Sequence, residues 1–138
     1  MSPPDYRDPT DPQEWLRRAR SSLVRSRVGA GVPEVLHEDL CFDAQQAAEK
    51  AIKAVLVNRS VEFPKTHSIV DLLSLAYQSG QNIPDQIRQA GVLTRYAVET
   101  RYPGLAEPPS KEDYQRAVTL AEQVVRWAEN LISSEHPK

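Results

Sequence analysis

Apolar residues recur along this chain at three- and four-residue steps, the spacing of helices that each bury one face. Trp15, Leu16, Ala19, Leu23 and Ser26 mark the first stripe, opened by Asp11-Pro12-Gln13-Glu14. That tetrad supplies an N-cap acceptor, a proline with preset φ at the first helical position, and a carboxylate at the third that can reach back. The helix is predicted to end near Val28, before the Gly29-Ala30-Gly31-Val32-Pro33 cluster. A second, longer helix is predicted over Val35 to Arg59, without internal Gly or Pro, carrying Ala44, Ala47, Ala48, Ala51 and Ala54 as a band of small side chains. Such a band lets another helix approach closely. Glu49 and Lys53, four residues apart in the favourable order, read as a surface pair worth ~0.3 kcal/mol.

Thr66 or Ser68 can cap a short third helix containing Ile69, Val70, Leu72, Leu73, Leu75 and Ala76, with Gly80 as its stop. Pro84 opens a fourth through Ile87, Ala90, Val92, Leu93 and Ala97 towards Thr100, broken at Pro103-Gly104. Ser110, with Asp113 three residues on, starts the last helix, where nine apolar positions from Tyr114 to Ile132 hold one face. No segment alternates as a strand does. The pattern predicts an all-α domain, an up-and-down four-helix bundle with one additional short helix, over residues 11–132, between a proline-rich arm at 1–10 and a tail at 133–138.

Composition narrows the function. At 138 residues the chain buries roughly 68% of its unfolded surface, so a core forms without metal or disulfide. Its one cysteine, Cys41, excludes an internal disulfide, and no Cys/His cluster offers a metal site. No apolar run approaches the ~18 residues of a membrane span and no signal-like stretch opens the sequence, so a cytoplasmic protein without membrane or cofactor is expected. A net charge of −2 argues against coating nucleic acid by bulk electrostatics.

Local chemistry concentrates in three places. Arg17, Arg18, Arg20, Arg25 and Arg27 on the first helix form either a solvated face or a contact for phosphate or an acidic partner. His67, in Pro64-Lys65-Thr66-His67-Ser68, can tether a neighbouring helix or meet a ligand, whereas His37 and His136 read as surface residues and Cys41 as a small core residue. Arg95, Tyr96, Arg101 and Tyr102 place two guanidinium groups and two phenols within eight residues, suited to a base or a phosphate, or to locking a helix end.

Taken in order, Trp15-Leu-Arg-Arg-Ala19, Cys41-Phe-Asp-Ala-Gln-Gln-Ala-Ala-Glu-Lys-Ala-Ile-Lys-Ala-Val-Leu56, Phe63-Pro-Lys-Thr-His67 and Tyr96-Ala-Val-Glu-Thr-Arg-Tyr-Pro103 resemble the prokaryotic HEPN domain family, over Asp11 to Leu131. The resemblance implies a helical bundle, commonly a homodimer, often paired with a minimal nucleotidyltransferase in a toxin–antitoxin-like or stress module. It implies Arg95, Tyr96, Arg101, Tyr102, His67 and Lys50 as contacts for a nucleotide, RNA or the partner protein. Many such proteins are metal-independent RNases built on an Arg, four to six residues, then a His. Here Arg59 and His67 have seven residues between them and no His follows Arg95 or Arg101 at that spacing. The expectation is therefore a non-catalytic, dimeric nucleotidyltransferase partner. The alternatives are an RNase toxin with a noncanonical site of Arg95, Arg101, His67 and Tyr96, and a helical adaptor with no nucleotide role.

Overall fold

A computed structural model describes residues 8–98, 103–104 and 107–134, with the side chains of Val98 and Ser134 excepted. All regular structure among these residues is helical: α1 (Pro12–Val28), α2 (His37–Asn58), α3 (Ile69–Gln78), α4 (Asp85–Arg88), α5 (Arg95–Val98) and α6 (Lys111–Ser134), with 3₁₀ turns at Gly29–Gly31 and Gln89–Thr94. The expected helical bundle is what forms. α2 is its centre, packed most extensively against α1 and α6 and also against α3 and α5.

The helix ends follow the local chemistry of the sequence. Asp11 caps α1 by accepting from the Gln13 N–H at 2.9 Å. Glu14 does not reach back to that cap; its carboxylate is held by Arg17 and Arg18, whose guanidinium groups lie over it. Ser68 caps α3 through the Asp71 N–H, and Ser110 with Asp113 closes a reciprocal capping box at α6. α3 ends in a Schellman motif, the Gln81 N–H donating to the Ala76 carbonyl and the Gly80 N–H to Tyr77, with Gly80 at φ 102°. α2 ends the same way, with Ser60 at φ 58° and the Val61 N–H on the Leu56 carbonyl. Arg59 then joins the two ends, donating to the Ser79 carbonyl at 2.6 Å and to the Ser79 hydroxyl at 2.8 Å.

One predicted helix is segmented. Between Pro84 and Val98 the chain forms α4, a 3₁₀ stretch and α5 rather than one continuous helix; residues 99–102 lie outside the described residues. The buried positions explain it: Ile87, Ala90, Leu93 and Tyr96 are spaced by three, the period of a 3₁₀ helix, while Val92 is half exposed. Gly91 allows the close approach this requires, since a Cβ there would lie 2.7 Å from Val70 Cγ2 on α3. The Thr94 hydroxyl fixes the crossing by accepting from the Ile69 N–H at 3.0 Å.

The alanine band does what small residues permit, but within the chain. Ala44, Ala47, Ala48, Ala51 and Ala54 are all fully buried between α2 and its neighbours, so they are not available as a contact surface for another molecule. The α1 arginines find acids: Arg17 and Arg18 pair with Glu14, Arg20 with Glu129, Arg25 with Asp43 and Arg27 with Glu122. That arrangement is the solvated, ion-paired face rather than a free basic patch.

Candidate functional site

Buried polar chemistry concentrates on one face of α2. Gln45, Glu49 and Lys53 succeed one another at four-residue spacing, so they lie one above the next on the same side of the helix. All three are buried. The Glu49 carboxylate accepts from Lys53 Nζ at 2.7 Å and from Gln45 Nε2 at 2.8 Å. His67 Nδ1 approaches the same Oε1 at 2.9 Å. Glu49 and Lys53 are thus an interior pair, not the surface pair that their spacing suggested. The reason is the helix around them: α2 carries apolar residues nearly all round, so few of its faces are left to water.

Burial alone pushes the Glu49 carboxyl up, but hydrogen bonds from Lys53, Gln45 and His67 outweigh it and hold the group below the usual carboxylate range. Glu49 is therefore ionised near neutrality and can only accept. It follows that His67 Nδ1 carries the proton, which leaves Nε2 as the ring nitrogen open to a ligand. The side chain of His67 is 62% exposed while that of Glu49 is 4% exposed. The histidine is the outer end of an otherwise buried network.

An aromatic wall stands beside it. Trp15 of α1 and Phe63 of the connection after α2 meet edge to face, centroids 5.9 Å apart, and Lys53 Nζ lies 5.7 and 5.5 Å from the two rings. The Trp15 indole N–H donates to the Pro9 carbonyl at 2.9 Å. Together with Lys65 and His67 these residues enclose a cleft of about 520 Å³.

The other residues expected at a site lie elsewhere. Lys50 turns towards α1, donating to the Ser22 hydroxyl at 3.3 Å, and burial chiefly pulls its ammonium below the usual range. Tyr96 is buried, which raises its phenol; it packs as a lock for α5 rather than as an exposed stacking ring. Arg95 is exposed, its guanidinium 5.7 Å from the Tyr96 ring. Arg101 and Tyr102 lie outside the described residues. His67 and Arg95 are on adjoining segments, since Ile69 and Thr94 are hydrogen-bonded, but the imidazole is committed to Glu49. Sequence reasoning did not single out Trp15, Phe63, Gln45, Glu49 or Lys53 as site residues. The i, i+4 and i+8 spacing of Gln45, Glu49 and Lys53 shows that they share one face of α2, but no local signal says that this face is covered or that Trp15 and Phe63 cover it.

The remaining candidates read as structural. Cys41 is fully buried and its thiol is pushed up to about 12, chiefly by burial, so it is no nucleophile. His37 stacks on Tyr114, centroids 5.8 Å apart. Among the described residues no group of His, Cys, Asp and Glu could hold a metal ion, and no helix is long and apolar enough to cross a membrane.

Among the described residues the exposed large apolar side chains include Val70, Tyr77 and Val92, and a run of four at the end of α1. Val24, Val28, Val32 and Leu36, between 47% and 65% exposed, follow one another from the end of α1 into the turn before α2. A cavity of about 550 Å³ opens beside Val24 and Val28, floored by Leu40 and Phe42.

Against known proteins, residues 12–131 match the family model described as the HEPN domain. Among solved structures, the chain is similar to an archaeal HEPN homologue, with a TM-score of 0.71 and 26% identity over 88% of this chain and 98% of that one. It is also similar in fold to a HEPN domain protein from Thermotoga maritima, with a TM-score of 0.66 and 24% identity over 86% and 97% of the two chains. No curated protein matches it.

Proposed function

The chain belongs to the HEPN domain family, and from that premise we propose that it is a dimeric, non-catalytic partner of a minimal nucleotidyltransferase in a toxin–antitoxin-like or stress module, presenting a nucleotide or RNA end. The observation that carries the partner role is the run Val24, Val28, Val32 and Leu36, four large apolar side chains that each stand about half exposed. Exposed apolar side chains clustered along the chain in this way are the kind that another protein covers. The test is a Val28→Glu/Leu36→Glu variant. Wild-type protein is expected to sediment as a dimer at tens of micromolar and to co-purify with a co-expressed minimal nucleotidyltransferase, and the variant to lose one or both. A monomeric wild type that retains no partner would reject the reading.

The RNase reading keeps one point in its favour, the free Nε2 of His67 on a carboxylate-held imidazole. It lacks the Arg-x(4–6)-His spacing of the family's RNases. Arginine cannot replace the base, because its guanidinium stays protonated. Labelled single-stranded RNA in EDTA is expected to stay intact with the native protein. Cleavage lost in His67→Ala or Arg101→Ala would promote the RNase instead.

A further inference from the structure

We infer that the cleft between Trp15, Phe63, Lys65 and His67 is a binding site for a phosphomonoester carried on a planar aromatic group. The inference rests on the ligand-presenting half of the reading above and places that ligand here rather than at Arg95 and Arg101. Three observations carry it. A cleft of about 520 Å³ lies within the size range of small-molecule sites. Its aromatic wall, two rings meeting at 76°, gives a planar group something to pack on. Its polar side is held by groups whose burial is otherwise costly: Gln45, Glu49 and Lys53 are taken out of water in the middle of an alanine-rich helix, and their network emerges at a single exposed member, His67.

The network ties the connection before α3 to α2 through both the His67 ring and its carbonyl, and the ring reaches solvent at the cleft. Fixing Nδ1 on Glu49 sets the ring orientation, so that Nε2 has a defined direction and donates to a phosphate oxygen when the ring is the imidazolium, whose charge faces the Glu49 carboxylate. Lys65, exposed at the rim, supplies a positive charge that the Glu49–Lys53 pair does not cancel. Ring packing, one oriented nitrogen and one free ammonium match a flat ring bearing a phosphate. Two sources share this chemistry, a nucleoside monophosphate and an aryl phosphate.

The experiment is calorimetric titration of the full chain with AMP, phenyl phosphate and inorganic phosphate, repeated on Lys65→Glu, His67→Ala, Trp15→Leu and Arg101→Ala. AMP or phenyl phosphate is expected to bind and inorganic phosphate to bind at least about tenfold more weakly. Lys65→Glu, an exposed change that leaves the core intact, is expected to weaken binding about tenfold, as are His67→Ala and Trp15→Leu. Tighter AMP than phenyl phosphate identifies a nucleotide; equal affinities identify the aryl phosphate. Binding that Lys65→Glu leaves unchanged, or no binding of either ring-bearing phosphate, overturns the proposal. Binding lost in Arg101→Ala and kept in the cleft variants overturns this placement while leaving the ligand-presenting reading intact. The partner reading stands or falls separately, on sedimentation and co-purification.

Discussion

Replacing Glu49 by Gln keeps the shape of the side chain and one acceptor oxygen but removes the charge that Lys53 faces. The Lys53 side chain is 10% exposed and that of Glu49 4% exposed, so solvent does little to rescue the ammonium. Breaking a buried pair by removing one member typically costs ~3–5 kcal/mol, because the surviving charge stays desolvated and unpaired. Here the lower end applies, since the Trp15 and Phe63 rings offer Lys53 a weak substitute worth ~1 kcal/mol. The expected loss for Glu49→Gln is therefore ~2–3 kcal/mol, read from the denaturant midpoint with an unchanged slope. Removing both charges, as Glu49→Gln/Lys53→Met, should recover much of that loss, because the orphaned ammonium is gone. A single variant within ~0.5 kcal/mol of wild type, or a double variant no more stable than Glu49→Gln, would refute the account of a buried, mutually dependent pair. The same group sets an acid dependence. Its folded pKa lies below the unfolded value, so its contribution is present above the unfolded carboxylate range near pH 4.3 and is lost as pH falls through the folded value. Glu49→Gln should flatten stability against pH in that acid window.

Four further outcomes are expected. Ala48→Leu and Ala51→Leu should each cost ~1–3 kcal/mol of stability, read as a lower denaturation midpoint, both sites being fully buried where helices meet; an unchanged midpoint in both would show the alanines to be loosely packed. Gly91→Ala should cost ~1 kcal/mol through its clash with Val70 Cγ2, and adding Val70→Ala should restore most of it in thermal melts. Ser60→Gly should leave stability unchanged or raise it by up to ~1 kcal/mol, because φ 58° is left-handed backbone that glycine adopts without strain; a clear loss would mean the hydroxyl matters more than the dihedral. Cys41 should resist a thiol reagent at pH 8 in the folded protein and react promptly in denaturant, as its burial and a thiol near 12 require.

Helix positions, caps and stops were legible in the sequence because they depend on neighbours within four residues. Asp11, Ser68, Gly80 and the Ser110/Asp113 box act through hydrogen bonds spanning one turn, and the apolar stripes of α1 and α6 need only a 3.6-residue period. The break after Pro84 was not read from the sequence: Ile87, Ala90, Leu93 and Tyr96 are spaced by three, but the same residues fit a loose α-helical pattern, and the close packing of Gly91 on α3 favours the 3₁₀ path. What the sequence could not decide was which faces of α2 meet water. Glu49 and Lys53 have the spacing of a surface pair, and local chemistry is the same in either place. Burial comes from α1, from Phe63 and from the connection to α3, which sit on that face only once the chain has folded back on itself. The cleft is decided in the same way. Trp15 and His67 are fifty-two residues apart in the chain, and their meeting depends on how α1 and the turn after α2 pack, a matter of tertiary contact that no local pattern encodes.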